Sequence, residues 1–198
     1  MDPAISGAKE ALRARVLAAR RAAGEDLRRS AALRATGCLT AFPDLVAARC
    51  VAAYFSIGTE PSTAELLADL RSRDVRVMLP VLRADLDLDW AIYDESRPVT
   101  QGARGLWTPD GPLLGVDAVA EADVVVVPAL AVGRDGTRLG RGGGSYDRAL
   151  ARVPAGRPVA TLLYDGELLP AVPAEPHDRP VDVVALPSGL HRLPGGRA

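Results

Sequence analysis

At 198 residues, with 48% hydrophobic and 25% charged residues, the chain is long enough to bury one substantial core and too apolar to be disordered over most of its length. A formal charge of −1 and a pI near 6.1 exclude the uniform basic field that non-specific nucleic-acid binding needs. The longest apolar stretch, residues 124–132, is far short of the roughly 20 residues that cross a bilayer, and Pro128 interrupts it, so no membrane role is expected.

The first forty residues carry Ala, Leu and Arg at helical spacing, with Leu12, Val16 and Ala19 on one face and Arg13, Arg20 and Arg21 on others. Two helices broken near Gly24 are predicted. Residues 50–56 read as a short buried strand, closed by a turn at Gly58, Pro61 and Ser62 before a helix over 63–73. Strands over 75–81 and 88–93 come next, then a Gly/Pro-rich loop over 100–116. Residues 123–127 are almost continuously β-branched, the pattern of a strand buried on both faces of a parallel sheet, and Pro128 ends it. A loop ending in three glycines, a short helix over 146–152 and strands over 158–164 and 181–186 complete the chain, with a Pro-rich stretch over 169–180 between the last two. This alternation predicts an α/β fold: a single-domain, three-layer αβα sandwich with a mostly parallel, Rossmann-like sheet over residues 1–192, and a disordered tail over 193–198.

Cys38 and Cys50 have no CxxC spacing, and the N-terminal segment is charged and helix-like, not an apolar signal sequence, which points to a reducing, cytoplasmic setting. Neither thiol sits in an activating context, so both read as small hydrophobes. Of the 24 basic residues all but Lys9 are arginine, an imbalance of the kind a coding bias produces. By default Lys9 is a solvated charge on a surface helix, but Arg13 lies one turn away, and together they could grip a polyphosphate.

The stretch 134–148 reads RDGTRLGRGGGSYDR, between the buried strand and a helix. Ligands of open α/β sheets sit beyond the carboxyl ends of strands, and phosphate suits a glycine-rich turn at that place. Gly140, Gly142, Gly143 and Gly144 allow close backbone approach to an anion, Arg138 and Arg141 can fork onto phosphate oxygens, and Asp147 could hold Mg²⁺ beside them. The bland alternative is a flexible glycine turn with solvated arginines. The run is neither a P-loop nor a dinucleotide fingerprint.

The pattern V-P-A-L-A-V-x-x-D-G-x-R-L-G-R-G-G-G-S-Y-D-R resembles the signature of the 5-formyltetrahydrofolate cyclo-ligase family, also called methenyltetrahydrofolate synthetase. Further matches stand in order along the chain: K-x-x-x-R at Lys9 and Arg13, F-S-x-x-x-E-P-S-T from Phe55 to Thr63, and V-P-x-E-P-H-D from Val172 to Asp178. The resemblance implies an ATP- and Mg²⁺-dependent ligase that closes 5-formyltetrahydrofolate to 5,10-methenyltetrahydrofolate with release of ADP and phosphate; a monomer is expected. It implies that the formyl oxygen attacks the γ-phosphate and that N10 then attacks the phosphorylated imine.

By the same resemblance, Lys9 and Arg13 contact the nucleotide phosphates, and Arg138, Leu139, Gly140, Arg141, Gly142, Gly143, Gly144, Ser145 and Tyr146 form the ATP loop. Arg141 reaches both ligands and is catalytic together with Lys9 and Arg13. Glu60 and Phe55 take the pterin side with Arg141 and Ser145, while Asp147 and Asp178 match the Mg²⁺ positions. Ser145 departs from the pattern, since the family usually has an aromatic residue there.

Three residues outside the carried-over set read as follows. His177, with Glu175 and Asp178 nearby, lacks a second histidine at zinc-ligand spacing and reads as a surface loop, and His191 as a tail residue. Trp90 reads as core, while Trp107 and Tyr93 fit either core or a ring-stacking wall, Trp107 leaning to the wall. Two further function classes share these features: a non-catalytic nucleotide- or folate-binding regulator, and a sugar-phosphate isomerase or CoA-transferase-like enzyme with a glycine loop after a buried strand.

Overall fold

A computed structural model describes residues 3–102 and 107–194. Helices α1 (Pro3–Ala22) and α2 (Glu25–Thr40) are separated at Gly24, which caps α2 in an extended conformation. Glu25 and Asp26 follow in the first turn, where carboxylates meet the positive end of the helix dipole. Next come α3 (Pro43–Ala47), β1 (Cys50–Ala52), α4 (Ala64–Ser72), β2 (Arg76–Leu82) and β3 (Leu88–Ile92). The region read as loop over 100–116 instead contributes to a hairpin of β4 (Val99–Gln101) and β5 (Trp107–Pro109), and a 3-10 helix (Val116–Glu121) leads into β6 (Val124–Val126).

The second half holds β7 (Ala131–Gly133), β8 (Arg138–Leu139), α5 (Ser145–Leu150), β9 (Val159–Leu162), β10 (Leu168–Leu169), β11 (Val183–Leu186) and β12 (Gly189–Arg192). His191 pairs with Val184 in β12, so it belongs to the sheet and not to a tail. Leu193 donates its N–H to the carbonyl of Asp182 and packs against the core, while residues 195–198 of the expected tail lie outside the described residues.

The main sheet runs β12-β11-β9-β6-β1-β2-β3. Its five inner strands are parallel, and β12 and β3 close the edges in antiparallel sense. Alternation along each strand supplies both faces: Val51, Val77, Leu79, Val124 and Val126 pack with Leu39 of α2 and Leu66 of α4, whereas Ala52, Met78, Val125 and Val127 pack with Val119 of the 3-10 helix and Leu150 of α5. The three layers follow from that alternation. Pro80 of β2, with no N–H to donate, falls beyond the last residue that pairs with β1.

A second, three-stranded sheet, β10-β7-β8, branches off after β6. Helix α1 docks there, with Leu12 and Val16 against Leu130, Ala131, Leu139 and Val172. Lys9, Leu12, Val16 and Arg20 are its buried stripe. Arg20, assigned from the sequence to another face, therefore points inward, and it is only 2% exposed. It is tolerated there because its Nε and Nη2 donate to Glu167 Oε1 and Oε2 at 2.6 and 2.8 Å, and Nη2 also to the Ala129 carbonyl at 3.0 Å. That bond set ties α1 to the strand junction beside the site.

Candidate active site

From β1 the chain moves outward through β2 to β3, then returns to place β6 on the other side of β1. The sheet thus reverses its winding between β1 and β6, and a crevice opens beyond the carboxyl ends of these strands. The segments that follow them, 53–63 and 127–144, face each other across a cavity of about 430 Å³, the size range of small-molecule sites. Helix α1 closes one side of it with Ser6, Lys9 and Arg13.

All four cationic residues expected at the site line this cavity, each already held by the protein. Lys9, far from being a solvated surface charge, is 4% exposed and donates to Asp178 Oδ2 at 2.6 Å and Glu175 Oε2 at 2.8 Å. Burial alone would pull its ammonium pKa down, but the two carboxylates outweigh it and the net shift is upward. Arg13 Nε donates to the Gly140 carbonyl at 2.9 Å. Arg138 lies in β8, not in the loop, where Nη1 reaches the Pro128 carbonyl at 3.2 Å and Nη2 reaches Asp147 Oδ1 at 2.9 Å, above the Tyr146 ring. Leu139 is likewise a strand residue whose side chain packs on α1.

The turn proper is therefore 140–144. Gly142 and Gly144 have φ of +95° and +70°, values that side-chain-bearing residues rarely adopt, and a Cβ at Gly142 would stand 3.4 Å from the Arg13 guanidinium. Ser145 begins α5, one residue earlier than the sequence predicts, and the helix ends at Leu150. Ser145 and Tyr146 both line the cavity. Arg141 is the most exposed member of the set: its side chain is 44% exposed, yet Nε donates across to Glu60 Oε1 at 2.9 Å.

Glu60 sits in a self-braced connection. The Ile57 N–H holds its Oε2 at 2.8 Å, Thr63 Oγ1 accepts from the Ser56 N–H at 3.0 Å, and the same hydroxyl donates to the Tyr54 carbonyl at 2.8 Å. These bonds fix Tyr54, Phe55 and Glu60 on one wall. Phe55 meets Tyr93 edge-on, with centroids 5.3 Å apart, and with Trp107 it also borders an adjoining cavity of about 370 Å³. Trp107 of β5 is thus a wall residue, and Trp90 is core. Cys50 is buried, which pushes its thiol pKa up and leaves it inert.

Asp147 and Asp178 line the same cavity, and each keeps one oxygen engaged: Asp147 Oδ1 by Arg138 and by the Arg179 N–H, Asp178 Oδ2 by Lys9 and by the Glu175 N–H at 2.7 Å. Burial raises the Asp178 pKa, but the Lys9 ammonium and the Glu175 N–H hold it below the usual carboxylate range. The second oxygens, both hard donors, suit a Mg²⁺ ion shared with phosphate. Glu175 and His177 join Asp178, with ligand atoms within 4.8 Å of one another. Loop 175–178 is clamped onto α1 through Glu175 and Asp178, whose side chains are 8% and 12% exposed, while His177 between them stays at the surface, 62% exposed, as the sequence suggests. Sequence reasoning missed Glu175 as a site residue, although it stands inside the V-P-x-E-P-H-D match, and it gave no role to Tyr54 or Ser6.

A profile described as the 5-formyltetrahydrofolate cyclo-ligase family matches residues 5–187. A protein named 5-formyltetrahydrofolate cyclo-ligase from Mycolicibacterium smegmatis is 42% identical over 177 residues, which cover 86% of this chain and 89% of that one. One of the same name from Escherichia coli is 30% identical over 151 residues, 74% of this chain and 82% of its own. The solution structure of Aquifex aeolicus 5,10-methenyltetrahydrofolate synthetase superposes with a TM-score of 0.81 at 27% identity, over 96% of this chain and 95% of that one.

Proposed function

Since the chain belongs to the 5-formyltetrahydrofolate cyclo-ligase family, we propose that its cavity binds ATP and 5-formyltetrahydrofolate side by side and closes the folate to 5,10-methenyltetrahydrofolate. The observation that carries this reading is a single cavity that gathers Lys9, Arg13, Arg138 and Arg141, with the carboxylates Asp147, Glu175 and Asp178 among them, on the side of α1 and the glycine turn, and presents Phe55 and Glu60 on the wall that faces them. One side suits a triphosphate and the other a flat, hydrogen-bonding ring.

In this reading the formyl oxygen attacks the γ-phosphorus and ADP leaves with the bridging oxygen. N10 then bonds to the formyl carbon and gives up its proton, the bond from that carbon to the phosphorylated oxygen breaks, and phosphate departs carrying the proton. No nucleophilic side chain is needed, so the protein works by alignment and charge neutralisation. Lys9, Arg13 and Arg141 neutralise the phosphoryl oxygens, Gly142 and Gly144 bring backbone close to them, and Glu60 accepts hydrogen bonds from the pterin. Asp147 and Asp178 would hold Mg²⁺, which would supply further charge neutralisation at the phosphates. Arg141 shares its guanidinium between the Glu60 wall and the phosphate turn. No described helix is long and apolar enough to cross a membrane, and the free thiols Cys38 and Cys50 accord with a cytoplasmic enzyme.

The test is ADP release with and without 5-formyltetrahydrofolate, read beside the near-ultraviolet absorbance of the methenyl product, with Mg²⁺ present or chelated. Folate- and Mg²⁺-dependent ADP release in step with product absorbance is expected. Binding of both ligands without turnover would instead make the protein a regulator on the same fold.

A further inference from the structure

The inner wall of the cavity holds a polar group with no role in the chemistry above. Tyr54 is 3% exposed, its ring packed in the core cluster that α2 and α4 share with the sheet. Its phenol hydroxyl makes no hydrogen bond among the described residues, where the residue's one side-chain partner, Thr63, bonds only the backbone carbonyl. Nor is that oxygen sealed in the core: the buried side-chain polar atoms without a partner among the described residues are Arg20 Nη1, Thr36 Oγ1, Trp90 Nε1 and Arg138 Nε. Tyr54 lines the cavity together with Glu60, so its hydroxyl is left for whatever fills that space.

We propose that the Tyr54 hydroxyl donates a hydrogen bond to the pterin ring of the folate, beside the Glu60 carboxylate, and so determines how tightly the ring is held. The proposal rests on reading this wall as the folate site. A reduced pterin presents two adjacent donors, N3–H and the 2-amino group, flanked along one edge by two acceptors, the 4-oxo group and N1. An ionised carboxylate can only accept, so Glu60 serves the donors and leaves the acceptors unserved. The phenol on the same wall is a neutral donor. Burial, with the negative charge of Glu60 added, pushes its pKa well above the ordinary tyrosine value, so it keeps its proton throughout the working range of the enzyme. The braces from Thr63 and Ser56 hold Tyr54 and Glu60 in fixed relation, as recognition of one ring edge by two groups requires.

Calorimetric titration of 5-formyltetrahydrofolate, and separately of the fragment 5-formyl-6-methyltetrahydropterin, into the protein and its Tyr54→Phe variant tests this. Loss of one neutral hydrogen bond should weaken both ligands by about three- to tenfold. Turnover at saturating folate should stay within about twofold and the folate KM should rise with the dissociation constant, a split that a structural defect would not give. The unfolding midpoint should not fall, because among the described residues the hydroxyl has no partner to lose. Equal affinities in parent and variant would overturn the role of Tyr54 and leave the folate reading standing. A loss confined to the whole folate, with the fragment unaffected, would move the contact to the tail and overturn it too. No binding of either ligand by the parent protein would remove the folate reading itself and this proposal with it.

Discussion

Replacing Arg20 by Met should cost the protein a large part of its stability. The substitution keeps an unbranched stem of similar width in the groove between α1 and the small sheet, so the loss is electrostatic rather than steric. It removes two charge-assisted bonds to Glu167 and one to the Ala129 carbonyl, and it leaves a carboxylate that is 7% exposed without its cation. Breaking one partner of a buried pair costs about 3–5 kcal/mol. The Tyr164 N–H still donates to Glu167 Oε2 at 2.9 Å, which places the expected loss near the lower end, about 3 kcal/mol, out of a domain total of about 5–15 kcal/mol. Urea unfolding of the parent, Arg20→Met and Arg20→Met/Glu167→Gln would measure it, and the double variant should recover part of the loss because no charge is stranded. A cost below about 1 kcal/mol for the single variant, or a double variant destabilised by the sum of its parts, would refute the reasoning.

Arg141→Ala should lower kcat by about 10² while Glu60→Gln chiefly raises the folate KM, as steady-state kinetics with each substrate varied in turn would reveal; full kcat in the first or an unchanged KM in the second removes the assigned role. Gly142→Val should weaken ATP binding by about tenfold or more and leave the protein folded, since a branched residue at φ +95° is strained and crowds Arg13; calorimetry of ATP binding checks it. The Lys9 clamp should be pH-sensitive on both sides. Asp178 has a lowered folded pKa, so its contribution is present above the ordinary carboxylate value of about 3.9 and is lost as pH falls through the folded value. Lys9 has a raised pKa, so its contribution is lost only at high pH. The difference in melting temperature between the parent and Lys9→Met should therefore shrink in acid.

Much of the fold was legible because its strands are short, apolar and set off by Gly and Pro. The β-branched run at 123–127 announced a strand buried on both faces, and β6 is one. The small sheet escaped notice because β8 and β10 are two residues long, too brief for periodicity to register, and Arg138 looked like loop for the same reason. Arg20 was misassigned because its partner Glu167 is 147 residues away, and a local pattern cannot anticipate a counter-ion from so far along the chain. The glycine turn, Lys9, Arg13, Glu60 and Asp178 were found as motifs, and the fold does bring them to one cavity. Their mutual pairing, Lys9 with Asp178 and Arg141 with Glu60, depends on three-dimensional approach and had no signal in the sequence.

The burial of the chain's one lysine also makes it an unusually clean chemical reporter. With every other basic side chain an arginine, an amine-acylating reagent meets a single ε-amino group, and that group is held as an ammonium between Asp178 and Glu175. Acylation requires the neutral amine and therefore release from both carboxylates, so the rate of mass gain at Lys9 reports separation of Lys9 from Asp178 and Glu175. Intact-mass kinetics on unmodified protein would thus follow the opening of this clamp with no engineered probe, against a background limited to the α-amino group.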